Sequence, residues 1–248
     1  MEERLYFLNS TNSKLCGILT DPTGDPGRPI IILSHGFNSS KESGTCISLA
    51  KKLNENGFST FRFDFFAHGE SEGNFEDLTV TIAVEDTLKA IELMKARGYR
   101  KIGLMGSSFG GLSSFIAASK SEDIYVLVQK APVSSFAEVP TYMDKKLVAV
   151  WKKTGHRKIE GKKLKFGFYE DSMKNIAYDV AKKIKIPTFI IHGNRDLDVP
   201  VDQSIRISGL ISDCSLEIVI GADHRFTKKD DFDRMINSIA DYVVNRSA

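Results

Sequence analysis

The chain reads as an α/β protein: a mostly parallel central sheet with helices on both faces and an inserted cap. Three observations predict this. Short apolar segments alternate with amphipathic helical ones along most of the length. One such segment, 101–105, runs straight into Gly106-Ser107-Ser108-Phe109-Gly110, and a small-residue helical pattern leaves it. Between Pro132 and Ile184 about fifty residues separate one strand from the next, too many for a simple crossover.

The composition sets bounds on this reading. At 248 residues one substantial core is possible, and 42% apolar with 27% charged residues is ordinary for a globular chain. A net charge of +2 gives no general argument for nucleic acid or a membrane as partner. The longest apolar runs, 29–33 and 187–191, are strand-sized and too short to span a bilayer. Met1-Glu2-Glu3-Arg4 begins with acid and no apolar stretch follows, so no secretory signal is expected. Cys16, Cys46 and Cys214 are odd in number and lack metal-ligand spacing. They are read as small buried hydrophobes in a reducing cytoplasm.

Taken in order, 4–8 and 14–20 form a hairpin around a polar turn, and 21–27 is dense turn chemistry. Residues 29–34 are almost purely aliphatic, as for a strand buried on both faces. Helix 44–56 places Ile47, Ala50 and Leu53 on one stripe and stops at Gly57. Strand 58–63 leads through a loop containing His68-Gly69 to helix 79–97, stopped by Gly98. Strand 101–105, helix 112–119 and strand 124–128 follow. After the insertion come strand 186–191, helix 202–210, strand 215–220 and helix 231–245. The predicted organisation is thus core 1–132, cap 133–184, core 185–248. Within the cap, 142–153 reads as helix and 157–169 as a small hairpin around Glu160-Gly161.

Right-handed crossovers bring active residues to the carboxyl ends of parallel strands. A serine hydroxyl attacks only when held exposed beside a base, which a tight strand-to-helix turn achieves. The glycine spacing centres on Ser108 as nucleophile, with Ser107 pointing elsewhere. Four histidines, His35, His68, His192 and His224, follow predicted strands, whereas His156 lies in a basic polar run of the cap. For the order Ser, Asp, His, His35 and His68 come too early. His224, directly after the last strand, is the base, and Asp223 shapes its loop. In His192-Gly193-Asn194-Arg195-Asp196-Leu197-Asp198 the strand end offers two carboxylates to orient the imidazole. Asp196 is chosen, Asp198 is the reserve, and His192 ends the strand as a structural residue. The backbone N–H groups of Phe37 and Phe109 are placed to receive an oxyanion.

Together, Leu33-Ser34-His35-Gly36-Phe37, Asp64-Phe65-Phe66-Ala67-His68-Gly69, Gly106-Ser107-Ser108-Phe109-Gly110, His192-Gly193-Asn194-Arg195-Asp196 and Gly221-Ala222-Asp223-His224 resemble the serine α/β-hydrolases over nearly the whole chain. The chain is most similar to bacterial feruloyl/cinnamoyl esterases, with monoacylglycerol lipases and serine aminopeptidase-like hydrolases close by. The resemblance implies Ser108, Asp196 and His224 as triad and Asp64 as a structural loop residue. A serine at the elbow argues against the dehalogenases and epoxide hydrolases of this fold, whose nucleophile is aspartate.

The expected activity is hydrolysis of small carboxylic esters through an acyl-enzyme, in the cytoplasm, with no metal or organic cofactor. A peptidase, thioesterase or acyltransferase using the same residues is the alternative. A non-catalytic ligand-binding protein on this fold is the reading from another class, disfavoured because all three residues are present. The sequence leaves the oligomeric state open, a homodimer included. Phe37, Trp151, Phe168 and Tyr169 are candidates for an acyl pocket, although with Phe166 the last three can equally form the cap's own core. Residues 141–185 hold 13 Lys/Arg against 5 Asp/Glu. That excess is either a solvated surface or an attractant for anionic esters.

Overall fold

The computed structural model describes residues 2–159 and 161–246. The chain begins with β1 (Glu2–Leu8), β2 (Lys14–Thr20), β3 (Ile30–Ser34), α1 (Gly44–Glu55), β4 (Ser59–Phe63), α2 (Val80–Ala96), β5 (Ile102–Ser107), α3 (Phe109–Ala118) and β6 (Ile124–Lys130). It then leaves the sheet for α4 (Pro140–Met143), α5 (Lys145–Thr154), β7 (His156–Ile159), β8 (Lys162–Lys165), α6 (Phe166–Ser172) and α7 (Ala177–Ala181). It returns with β9 (Thr188–Gly193), α8 (Val201–Ser208), β10 (Cys214–Val219) and α9 (Lys229–Asn245). Eight strands form one sheet in the order β1-β2-β4-β3-β5-β6-β9-β10, in which β2 runs antiparallel to β1 and β4 and the other pairs are parallel.

Period-two alternation divides the core. In β3, Ile30 and Ile32 join the apolar cluster beneath α2 and α3, while Ile31 and Leu33 join the one beneath α1 and α9. Both faces are covered, which is why the strand carries no polar residue before Ser34. Each such buried side chain contributes roughly 1.5–3 kcal/mol.

Local differences from the sequence reading have packing causes. In α1 the buried face is Cys46, Leu49, Ala50 and Leu53, and Ile47 is exposed. The helix is rotated so that small Cys46 meets the sheet. Helix α3 begins at Phe109, immediately after the elbow, and not at 112. The expected hairpin 157–169 is shorter: β8 stops at Lys165 and Phe166 opens α6. Phe166 and Phe168 alternate as in a strand, but the intervening Gly167 faces open space and both rings turn inward within one helical turn. Glu160 of that expected turn lies outside the described residues.

Some of the basic excess of the insertion fastens it to the core. Lys163 pairs with Glu76 at 3.1 Å, and Lys165 with Asp77 at 2.5 Å and Glu76 at 3.5 Å. Lys162 lies 4.5 Å from the centre of the Phe75 ring. On the other side, buried Gln203 from α8 accepts from the Ser134 and Ser135 amides at 2.7 and 3.1 Å, fixing the point where the chain leaves the sheet. Among the described residues no helix is long and apolar enough to cross a membrane.

Candidate active site

Ser108 sits between β5 and α3 with φ 54° and ψ −113°, a conformation that a non-glycine residue holds only when its surroundings enforce it. Its amide donates to Lys130 O at 3.0 Å, and its carbonyl accepts from Gly111 N at 2.9 Å and Val133 N at 3.0 Å. The backbone is therefore pinned by β6 and by the chain that follows it. A Cβ at Gly110 would lie 2.4 Å from both Ser34 O and His35 O, so the turn cannot close with a larger residue there.

His224 and Asp196 arrive from two other loops. The β9 and β10 ends are joined by Asn194 Oδ1, which accepts from Gly221 N at 2.6 Å, and by Arg195 N, which donates to Ala222 O at 3.0 Å. A Cβ on Gly193 would meet Ala222 O at 2.3 Å, so a glycine is needed for the approach. His224 Nε2 then lies 2.9 Å from Ser108 Oγ, and His224 Nδ1 lies 2.5 Å from Asp196 Oδ2. Three groups far apart in the chain form one hydrogen-bonded line.

Asp196 is held from all sides. Its Oδ1 accepts from Asp198 N at 2.9 Å and Val199 N at 2.7 Å, and His192 Nε2 donates to Oδ2 at 2.9 Å. Burial opposes its charge, but the hydrogen bonds from His192, His224 and Val199 outweigh it and hold the carboxyl well below the usual range. His192 itself is fixed through Nδ1 to Ser204 Oγ at 2.7 Å. Donor atoms of Asp196, Asp198 and His224 fall within 4.8 Å of one another. Asp196 Oδ2 and His224 Nδ1 are already engaged with each other, so a cation there would compete with that bond.

The other histidines are occupied. His35 is locked between Gly36 O and Phe65 N, and burial lowers its pKa to about 4. His68 donates to Phe66 O, and burial lowers it to about 3. Both are neutral supports of the loops beneath the site. His156 is exposed on β7, against Thr154 O. Ser107 reaches the cavity wall but bonds no imidazole among the described residues.

A cavity of about 630 Å³ opens over Ser108. Gly36 packs on the serine, since a Cβ there would lie 3.5 Å from Ser108 Cβ, and this brings the next residue, Phe37, to the wall. Phe109 is the first residue of α3, so its N–H has no intrahelical acceptor. Among the described residues neither the Phe37 nor the Phe109 amide has a hydrogen-bond acceptor.

Trp151, Phe168 and Tyr169 do not line the cavity. The Trp151 indole donates to Leu164 O at 3.1 Å and packs with Tyr142, Phe166 and Tyr169, in the same apolar cluster that covers the α2 and α3 face of the sheet. Phe168 stands one layer back, against the rings of Phe37 and Phe136. Beside Phe37, Phe109, Ile159 and Val199, the apolar wall includes Val133, Phe136, Val139 and Tyr142. The sequence reading missed these four. Their spacing of three residues was the available signal.

Two polar clusters, built on the buried carboxylates of Asp64 and Asp86, tie neighbouring loops together. Lys41 Nζ contacts Asp64 Oδ2 at 2.6 Å and Glu70 Oε1 at 2.8 Å, and Asp64 Oδ1 also accepts Lys41 N at 2.7 Å, tying the loop after β3 to the loop after β4. Asp86 of α2 accepts from Phe66 N at 2.8 Å and from Asn9 Nδ2 at 2.9 Å. Burial pushes its pKa up to about 7, from an ordinary 3.8. The folded chain therefore holds this proton more tightly than the unfolded chain. Its contribution is fully present below pH ~4 and is lost as pH rises through about 7. The melting temperature of Asp86→Asn minus that of the wild type should grow between pH 5 and pH 8. A difference that stays constant over that range would show that the carboxyl titrates as it does when exposed.

The profile of the serine aminopeptidase, S33, family matches residues 25–177. The chain belongs to that family. The S33 match includes Ser108 and ends before Asp196 and His224. The bovine (Bos taurus) palmitoyl-protein thioesterase ABHD10, mitochondrial, is 25% identical over 226 residues, covering 87% of this S33 chain and 73% of the relative. Est1E from Butyrivibrio proteoclasticus, solved with ferulic acid bound, superposes with a TM-score of 0.83 at 24% identity, covering 98% of each chain. The Pyrococcus furiosus esterase Pf2001 superposes at 0.77 with 20% identity, covering all of this chain and 92% of that one. The fold of this S33 member is that of the α/β-hydrolases.

Proposed function

We propose that the protein is a serine hydrolase that cleaves small carboxylic esters through an acyl-enzyme. The observation that carries this is the continuous line from Ser108 Oγ through His224 to Asp196, at 2.9 and 2.5 Å, opening on a cavity. His224 takes the Ser108 proton as Oγ attacks the ester carbonyl. The oxygen that becomes negative lies at the Phe37 and Phe109 amides, whose lack of other acceptors among the described residues leaves them available. His224 then protonates the departing alcohol, and water activated by the same imidazole releases the acid. Asp196 stays ionised throughout and holds the tautomer in which Nδ1 carries the proton. The walls from Val133, Phe136, Val139 and Tyr142 suit a flat or short apolar acyl group.

A thioester substrate is the second reading, favoured by similarity to a palmitoyl-protein thioesterase across most of the chain. One panel tests both: p-nitrophenyl esters of increasing chain length, methyl hydroxycinnamates, acyl-thioesters and aminoacyl amides. The largest kcat/KM is expected on short or hydroxycinnamoyl esters. Turnover confined to thioesters or amides would replace this reading. A fluorophosphonate probe should label Ser108, and failure to label it would remove the acyl-enzyme altogether.

A further inference from the structure

Lys130 closes β6 directly beneath the line of reacting groups, and only 5% of it is exposed. Its two ends hold two different segments of that line. The carbonyl accepts the amide of Ser108 at 3.0 Å, and the ammonium donates to the carbonyl of His224 at 2.6 Å. The side chain also lies 5.5 Å from the Phe226 ring and reaches the cavity wall.

We infer that Lys130 is the positioning residue that sets the distance between the Ser108 hydroxyl and the His224 imidazole. This inference rests on the serine-hydrolase reading above. Ser108 is held in a conformation that its own backbone disfavours, and His224 sits on a loop whose next residue but one, Phe226, also has a positive φ of 55°. Two loops with strained backbones keep a 2.9 Å contact only if their backbones are tied to a common anchor, and a strand-end residue bonded to both supplies one. Among the described residues no carboxylate lies within ion-pair distance of the ammonium, so its direct partner is the His224 carbonyl. The charges around it are Asp196 and Asp198 on the loop after β9, and Asp223 and Arg225 on the loop after β10. Burial lowers the Lys130 pKa to about 8, with the three carboxylates opposing that shift and Arg225 adding to it. The tie is thus strongest below pH ~8, while the ammonium is charged, and weakens above it.

The test is Lys130→Met, which keeps the aliphatic stem and removes the donor. Activity is expressed per site titrated with a fluorophosphonate, so that misfolded molecules do not count. Loss of the tie should lower kcat per site by about 10²-fold, the effect of a misplacement of about 1 Å. KM should stay within about threefold of the wild type. The wild-type kcat should fall above pH ~8, and that alkaline limb should be absent from the variant. A kcat per titrated site within threefold of wild type, with the alkaline limb unchanged, would overturn the inference. Ser108→Ala run alongside separates the two levels. If it retains activity, the hydrolase reading itself fails; if it is inactive and Lys130→Met behaves as wild type, only the role of Lys130 fails.

Discussion

Ser108→Ala should lower kcat by about 10⁶-fold and leave KM nearly unchanged. In the proposed mechanism the hydroxyl is the one group that becomes bonded to the acyl carbon, and Ser108 Oγ is the only hydroxyl bonded to His224 Nε2 among the described residues. Substrate affinity resides in the cavity walls, which the exchange leaves in place. His224→Ala should cost nearly as much, and the double variant little more than either single one, because the two act as a unit. Single-turnover kinetics on a p-nitrophenyl ester would measure this. A Ser108→Ala enzyme that keeps more than about one per cent of wild-type kcat would exclude Ser108 as nucleophile.

Asp196→Asn should lower kcat by about 10⁴-fold, whereas Asp198→Asn should stay within about tenfold of the wild type. Asp196 accepts from His224 Nδ1 and from His192 Nε2 through the same oxygen. An amide there would either turn its own N–H toward the imidazole, selecting the wrong tautomer, or leave a buried donor unmatched. Asp198 is exposed and bonds neither ring nitrogen of His224. Its amide donates to Asp196, and the substitution preserves that bond. The reverse ranking would make Asp198 the orienting carboxylate. A stability signature accompanies the first exchange. Since the Asp196 carboxyl is held below its ordinary range, its contribution is present above pH ~4 and is lost only in stronger acid. The stability deficit of Asp196→Asn should therefore be full at neutral pH and shrink on acidification.

Much of the architecture was legible in the chain because burial on two faces leaves a plain mark. Ile30 to Leu33 could be read as a central strand from its lack of polar residues, and the structure seats it between β4 and β5. The elbow was legible for a similar reason: Gly110 has no room for a side chain, so its identity records a tight approach. The cavity wall was less so. Phe136 looks like any loop aromatic, and Tyr142 like the start of a helix, until the chain's exit from the sheet, held by Gln203, brings both to the cavity over Ser108. Trp151 could equally wall a pocket or fill a core, and its indole, with one donor, is satisfied in the interior against Leu164 O.

The sequence by itself determined the alternation of strands and helices, the tight turn at Ser108 and the chain order of serine, carboxylates and final histidine. These depend on local sterics and on side-chain periodicity, which neighbouring residues specify. Only the tertiary structure decided which carboxylate faces His224, which aromatics reach the cavity, and that Lys130 joins the serine to the histidine loop. Those outcomes depend on distances between loops that are far apart in the chain, brought together by packing across the sheet and by single contacts such as that between Gly193 and Ala222.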